Sequence, residues 1–346
     1  MLIQILFTLL IIIALTSTKK YAIVDTNEYL NKNFTNNVRG LAILTIMISH
    51  CIQFIYLFPS GHINLLYYQK VLTFFISIFT SISVGIFFFL SGYGNWFSLN
   101  KSTINIKWLI NRLLTLYIPV GLLIIFTILL IKIFNMPILY KTWYIPIINF
   151  LTLSVVMWSY WYIKVQAMSY IYMYIYRRNI FLLFLMFVIY ILICLLCHID
   201  SKWWFTILCF PFGVLFAAYK NIIFKIFNIK YILLLLFIIS ILIFLFFITK
   251  QQFIMIIISL LACFTMSYLS IICNIENHVL SFLGKHSLEL YLVHLTLIPI
   301  VRNLHINCSF INIYNFIIIF ILSFLIAPLL KICSNNIKNI FINKLY

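Results

Sequence analysis

Apolar segments of about 20 residues follow one another along almost the whole chain, and they constrain its fold more than any other feature. The segment YILLLLFIISILIFLFFIT, residues 231–249, shows the pattern. A helix needs about 20 apolar residues to cross the hydrocarbon layer, which accepts only elements that satisfy their own backbone hydrogen bonds. With 65% hydrophobic and 8% charged residues, the chain lies outside the range of soluble domains. We therefore predict an all-α, polytopic transmembrane helical bundle in a lipid bilayer.

Ten core spans and a possible extra N-terminal span account for these segments. Short loops separate them, so we predict a single membrane domain over residues 38–330. Residues 1–37 would hold the possible extra span, at 2–16, and a cytoplasmic loop, and residues 331–346 a cytoplasmic tail. The core spans are predicted at 40–58, 71–97, 113–131, 145–176, 180–197, 203–219, 231–248, 252–273, 287–304 and 310–330.

The basic residues of the chain indicate its orientation. The formal net charge is +18, but the Lys and Arg residues stand singly or in pairs between apolar segments, without the basic stripe of a nucleic-acid-binding protein. We therefore expect no nucleic-acid partner. If 145–176 is one crossing, most Lys and Arg residues fall in cytoplasmic loops, as the positive-inside rule requires. This predicts a multi-pass protein of the cytoplasmic membrane with a cytoplasmic C-terminus.

Cysteine and acidic residues give no sign of a bound cofactor. The spacing Cys194-x-x-Cys197-His198 matches a haem-attachment motif, but the two cysteines lie at the end of an apolar helix rather than in an accessible loop. The five Asp and Glu residues are scattered, and no paired ligand motif predicts a metal site. We therefore predict no permanently bound cofactor and no metal.

Arg39 and His50 share one face of the first core span. They are separated by eleven residues, or about three helical turns, which places them about 16 Å apart along the axis. An arginine at the cytoplasmic boundary can bind phosphate in a bidentate manner, and an ionisable residue at membrane depth indicates a function. This arrangement suits a donor with phosphates at one end and a reactive group at the other, as in a coenzyme A thioester.

Alternative interpretations stay open for both residues. Arg39 is equally well explained as a headgroup anchor, and His50 as a hydrogen-bond partner of a neighbouring helix. In the ninth core span, Ser287, Tyr291 and His294 also share one helix face. They are candidates for an acceptor pocket or for hydrogen bonds between helices.

In this region the sequence resembles a known family, the integral membrane acyltransferases of the acyltransferase-3 type. The stretch RGLAILTIMISH, with Arg39 and His50, is similar to the first-span signature of that family. Further similar phrases occur in order along the chain: FFFLSGYG with Ser91, NRLLTLY with Arg112, WYIKVQAMSY with Trp161 and Tyr170, WWFTILCFPFGVLFAAY, and LGKHSLELYLVHL.

Two positions depart from the family pattern. Thr115 stands where the family often has a second arginine, three residues after Arg112. Gln166 stands where many members have a glutamate, so a carboxylate role cannot be carried over to this position.

The resemblance implies transfer of an acyl group, most often acetyl, from cytoplasmic acyl-CoA as donor substrate to a hydroxyl of a cell-surface or lipid-linked saccharide. Arg39 and Arg112 would bind the donor, and Ser91, Trp161 and Tyr170 would be pocket candidates. A neutral His50 can act as general base, which favours direct transfer, because Ser49 and Cys51 point away from His50 on the helix. The alternatives are a transporter or flippase for lipid-linked sugars, or a polysaccharide polymerase.

Overall fold

The computed structural model of the chain is helical, with one short pair of strands. It describes residues 18–20, 30–53, 67–101, 105–134, 161–176, 179–226, 230–304 and 312–344. The possible span 2–16 lies outside these residues, as does the first half of the predicted span 145–176.

Twelve helices form the described part of the chain. Their bounds are α1 Lys32–Ile52, α2 Tyr67–Lys101, α3 Ile106–Phe134, α4 Trp161–Tyr176, α5 Ile180–Leu196, α6 Cys209–Ala218, α7 Lys220–Ile226, α8 Lys230–Thr249, α9 Gln252–Ile272, α10 His278–Lys285, α11 Ser287–Leu304 and α12 Asn312–Lys344. The two strands, β1 Thr18–Lys20 and β2 Cys273–Ile275, pair antiparallel with Thr18 opposite Ile275.

Several of these helices match the requirements of a membrane span. Among the described residues, five helices are long and apolar enough to cross a membrane, namely parts of α2, α3, α8, α9 and α12, and three shorter helices are also apolar. The chain is therefore a multi-pass membrane protein by length and composition, while the number of ten core spans stays a prediction.

The predicted span 203–219 is wrong as a single crossing helix. Residues 201–208 form a 3-10 helix followed by turns, and α6 has only 10 residues. At 1.5 Å per residue it covers about 15 Å, half of the hydrocarbon thickness. α6 instead packs against α2, where the Cα of Gly92 faces the carbonyl oxygen of Phe210 and that of Gly213 faces the carbonyl oxygen of Phe89. Both glycines are thus packing points, as small residues are in membrane helices.

Helix α1 begins earlier than the sequence indicated. The side chain of Asn31 caps it by accepting a hydrogen bond from the backbone N–H of Phe34 (2.8 Å). Such a cap satisfies one of the backbone donors exposed at a helix start. Arg39 therefore lies in the third turn of α1 rather than at its first residue.

The short helix α10 crosses α1 at close range. The side chain of Asn277 caps it, accepting from the N–H groups of Val279 and Leu280. Gly40 of α1 meets the backbone of Leu280, and Gly284 of α10 meets the backbone of Asn36, so that no Cβ fits at either glycine. This contact fixes the start of α11 relative to α1.

Helix α12 continues well beyond the end of its predicted span. It runs through Lys344, so most of the segment assigned to a C-terminal tail is helical. Its last turns lie beside the start of α3, where Lys338 Nζ donates a hydrogen bond to Thr115 Oγ1 (3.4 Å). About two turns earlier on α12, Lys331 Nζ donates to the carbonyl oxygen of Lys285.

Candidate active site

Two histidines from distant parts of the sequence meet inside the helical bundle. His50 Nδ1 of α1 lies 3.0 Å from His294 Nε2 of α11, within hydrogen-bond distance. The rings are nearly parallel, at 13°, with centroids 5.3 Å apart. His294 is completely buried.

A backbone carbonyl determines which ring nitrogens carry protons. His294 Nδ1 lies 2.7 Å from the carbonyl oxygen of Leu290, one turn earlier on α11. A carbonyl only accepts, so Nδ1 of His294 is the protonated nitrogen. With both rings neutral, His294 Nε2 then accepts and His50 Nδ1 donates. This leaves Nε2 as the basic nitrogen of His50.

Tyrosines continue this cluster away from the imidazoles. The ring of Tyr291 lies 6.5 Å from that of His50 and 5.9 Å from that of His294. Tyr162 of α4 makes an edge contact with Tyr291, with centroids 5.5 Å apart. The three helices α1, α4 and α11 thus meet around His50.

A small cavity of about 50 Å³ lies beside this cluster. Ile46, one turn before His50 on the same face of α1, forms part of its wall. The residues that line the cavity are Ile46, Val84, Phe87, Tyr162, Ser287, Leu288 and Tyr291. The space is large enough for a few water molecules and has no room for a whole coenzyme.

Arg39 faces the other end of the same group of tyrosines. Arg39 is half-buried as a residue, and its guanidinium lies within electrostatic range of Tyr162 and Tyr170 of α4. Because Tyr162 also contacts Tyr291 beside His50, one tyrosine connects the surroundings of Arg39 with those of the histidine. The two residues thus face protein on a common side of α1.

A polar network holds α2 against α4 near Arg39. Gln166 Nε2 donates to Ser91 Oγ (2.8 Å), and the hydroxyl of Tyr162 donates to Gln166 Oε1 (3.3 Å). Ser91 Oγ also lies 3.4 Å from the hydroxyl of Tyr170 and accepts from Asn95 Nδ2 at the same distance. The amide of Gln166 therefore orients two hydroxyl groups.

Arg112 extends this arrangement to the end of the bundle. Its guanidinium lies over the ring of Trp108, 5.7 Å from the centroid. Trp108 contacts the ring of Tyr170 at 6.2 Å and donates from Nε1 to Ser98 Oγ at 3.1 Å. A continuous series of aromatic contacts thus leads from Arg112 to the vicinity of Arg39.

Comparison with known proteins assigns this chain to a family. A family model described as an acyltransferase domain, of the acyltransferase-3 type, matches residues 32–332, nearly the whole chain. This chain belongs to the acyltransferase-3 family. No curated protein and no solved structure matches it.

The protein is thus a membrane acyltransferase, and this assignment displaces the transporter, flippase and polymerase alternatives. The matched segment begins at the first residue of α1 and includes both histidines and both arginines described above. It ends within α12, before Lys338.

Most of the sequence-derived candidates of this acyltransferase come together. Ser287 and Tyr291 line the cavity, His294 contacts His50, and Ser91 contacts Tyr170. Trp161 does not line the cavity, and its ring lies beside that of Tyr162 (6.3 Å) and against that of Trp203 (6.4 Å).

Sequence reasoning missed Tyr162, Trp108 and the structural role of Gln166. Tyr162 is the neighbour of the tryptophan that the resemblance singled out, and Trp108 lies four residues before Arg112. That spacing is a helix-face signal and would have paired Trp108 with the arginine. Tyr162 carried no such signal, since tyrosines are common in this chain.

Proposed function

We propose that this acyltransferase moves an acyl group, acetyl in the simplest case, from cytoplasmic acyl-CoA to a hydroxyl of a cell-surface or lipid-linked saccharide. The proposal includes the identity of the membrane, which is the cytoplasmic membrane, of the acyl donor and of the acceptor. The observation that supports it is the pair His50 and His294, because their hydrogen bond (3.0 Å) fixes the ring of His50, and Tyr291, whose ring lies 6.5 Å from that of His50, lines a cavity.

His50 is the general base in this reaction. The acceptor hydroxyl attacks the thioester carbonyl carbon while its proton passes to His50 Nε2. The tetrahedral intermediate then collapses as the carbon–sulfur bond breaks. The leaving thiolate takes the proton back from His50, so that ester and free thiol are formed and the histidine is neutral again.

His294 acts through His50 as a positioning residue. Its Nδ1–H donates to the carbonyl oxygen of Leu290 (2.7 Å), so its Nε2 is the acceptor that faces His50. This arrangement favours the proton on Nδ1 of His50. Similar orientation of a catalytic imidazole by a hydrogen-bonded partner underlies other acyl transfers. Here the partner is an imidazole rather than a carboxylate.

Direct transfer agrees with the surroundings of the possible nucleophiles. Ser49 Oγ accepts a hydrogen bond from Gln53 Nε2 (3.4 Å), and Cys51 is completely buried. A covalent mechanism needs a nucleophile within hydrogen-bond reach of the base. Neither neighbour of His50 is described in such a contact.

The donor would approach from the end of the bundle that carries the cations. Arg39 would bind phosphate there, while the thioester arm extends along the tyrosines toward His50. The cavity of about 50 Å³ requires that lining side chains such as Leu288 move when the arm enters. Ser287 and Tyr291, which share this lining, would contact the acceptor sugar.

The cytoplasmic position of this end follows from the positive-inside rule. Lys331 bonds the backbone of Lys285, and Lys338 bonds Thr115, three residues after Arg112. Basic residues of α3, α10 and α12 thus gather at one end of the bundle. This clustering supports a cytoplasmic C-terminus, which reporter fusions after Lys344 would test by their activity inside or outside the cell.

Mass spectrometry of cell-surface glycans with and without this protein tests the proposed function. We expect one glycan to lose the mass of one acyl unit per modified residue when the protein is absent, and to regain it with the wild-type chain but not with His50→Ala. Loss of a whole polymer or of a lipid-linked intermediate would contradict an acyl transfer to saccharide.

The purified protein in lipid vesicles provides a second test. Acetyl-CoA labelled in the acetyl group should lose its label to the acceptor glycan at a rate that depends on His50. An unchanged rate in His50→Ala would remove the general base from the proposal.

A further inference from the structure

Two cations from distant parts of the chain lie together at the end of the bundle. Lys338 of α12 donates from Nζ to Thr115 Oγ1 at 3.4 Å, and it interacts electrostatically with Arg112, one turn before Thr115. Thr115 is the position at which the sequence lacks a second arginine. The last helix therefore supplies a positive charge where α3 itself does not.

No carboxylate balances these two charges within the described part of the chain. The ion pair found there joins Lys202 to Asp200 at the loop before α6, and Arg112 and Lys338 contact an aromatic ring and a hydroxyl instead. Like charges at close range repel each other, and an anion bound between them would relieve this repulsion. The pair is thus a candidate site for an anionic ligand.

The pair also lies in line with the proposed donor path. Arg112 rests on Trp108, Trp108 contacts Tyr170, and Tyr170 lies within electrostatic range of Arg39. From Arg39 the tyrosines lead to His50. Any ligand whose reactive group reaches His50 and whose phosphates follow this series would have its outermost phosphate beside Lys338.

We propose that Lys338 and Arg112 together bind the 3′-phosphate of the coenzyme A donor. This inference rests on the proposed function and adds to it a phosphate site shared between α3 and α12. In coenzyme A the diphosphate lies between the thioester arm and the ribose 3′-phosphate, which matches Arg39 as the inner cation and the pair as the outer one. A phosphate monoester carries nearly two negative charges at neutral pH, which corresponds to two cations.

Equilibrium binding to the full chain in nanodiscs tests this site. The probes are coenzyme A and 3′-dephospho-coenzyme A, which differ only in the phosphate assigned to the pair. We expect the wild type to bind coenzyme A about tenfold more tightly than the dephospho form, the effect of one charge-assisted contact. Lys338→Gln should lose this preference by weakening coenzyme A binding alone, and Lys338→Arg should keep it.

Lys220→Gln is the matched control, because it also removes one charge, from a lysine that lies over the ring of Phe97 instead (5.5 Å). It should leave the preference unchanged. A Lys338→Gln variant that still prefers coenzyme A, or a wild type that binds both probes equally, would overturn the inference while leaving the proposed function intact. A wild type that binds neither probe would overturn both.

A change of lipid composition distinguishes a site for the donor from a site for a phospholipid headgroup, because both ligands carry a phosphate group. The measurement is repeated in phosphatidylcholine nanodiscs and in nanodiscs containing phosphatidylglycerol. A Lys338→Gln effect in both supports the donor site. An effect that appears only with the anionic lipid would assign the pair to headgroups and overturn the inference.

Discussion

His50 Nδ1 and His294 Nε2 lie 3.0 Å apart, although 244 residues separate them in the chain. The carbonyl of Leu290, 2.7 Å from His294 Nδ1, gives this contact a direction, because it requires a proton on that nitrogen. The neutral pair then has one arrangement of protons, in which Nε2 of His50 carries no proton. A hydrogen bond between two helices thus determines which ring nitrogen of His50 is basic.

Replacement of His50 tests the base. We expect His50→Ala to lower kcat for acyl transfer by about 10²- to 10⁴-fold, the range attributed to general-base catalysis, with insertion and folding preserved. Thr45→Ala on the same helix is a suitable control, since its hydroxyl donates a hydrogen bond to the carbonyl of Leu41 on that helix. Turnover rates in vesicles and size-exclusion profiles give the two readouts.

The effect of replacing His294 on kcat should depend on whether the new side chain can accept a hydrogen bond. His294→Leu removes the acceptor for His50 Nδ1, and we expect kcat to fall about tenfold or more, equivalent to about 1.4 kcal/mol for one hydrogen bond. His294→Gln retains an amide oxygen as acceptor and should keep more of the activity. The KM for the donor should stay unchanged in both. Equal losses in the two variants would indicate a packing role only.

Arg39 should affect binding of the donor rather than the chemical step. We expect Arg39→Ala to raise the apparent KM for the thioester about tenfold or more, because a charged hydrogen bond to phosphate is lost, and Arg39→Lys to be intermediate. Initial rates at varied acetyl-CoA separate KM from kcat. A variant that loses kcat alone would contradict phosphate binding at this residue.

Two glycines on α2 provide a matched pair for the helix contact. The Cα of Gly92 faces the carbonyl of Phe210 with no room for a methyl group, whereas nothing lies within 4 Å of a Cβ at Gly94. We expect Gly92→Ala to destabilise the protein by about 1–3 kcal/mol through overpacking. Gly94→Ala should be neutral or stabilising by up to about 1 kcal/mol, since alanine is the better helix former. Thermal unfolding in detergent compares them.

His286, between α10 and α11, should make the protein sensitive to acid. Its burial and the neighbouring Lys331 and Lys285 lower the pKa of this histidine. The unfolded chain therefore takes up the proton at a higher pH than the folded chain, so stability present above the usual histidine pKa of about 6.5 is lost as the pH falls below it.

His286→Gln should reduce this loss, measured as the change in melting temperature between neutral pH and about pH 5.5, where the unfolded-state histidine is mostly protonated. His278→Gln, at the exposed first residue of α10, controls for the removal of a histidine as such. If the melting temperature of His286→Gln depended on pH as that of the wild type does, His286 would not be the cause of the acid sensitivity.

The sequence predicted the membrane class, the family and the shared helix face of Arg39 and His50, whose roles stay predictions. Arg39 and His50 were found because they share a helix face, a property that depends only on spacing. The bounds of the elements were less accurate. The side chain of Asn31 caps α1 at an earlier residue than predicted. α6 is short because residues 201–208 form a 3-10 helix and turns, and it packs on α2 through glycine contacts; no hydropathy pattern reveals either feature.

By itself, the sequence determined that this chain is apolar along its length, helical within each apolar segment and similar to membrane acyltransferases, because these properties depend on local composition and order. Only the tertiary structure decided which polar side chains meet: His50 with His294, Gln166 with Ser91, and Lys338 with Thr115. Each of these contacts joins residues at least 75 positions apart. Such pairs depend on how the helices pack, and therefore on side-chain shapes from several segments at once.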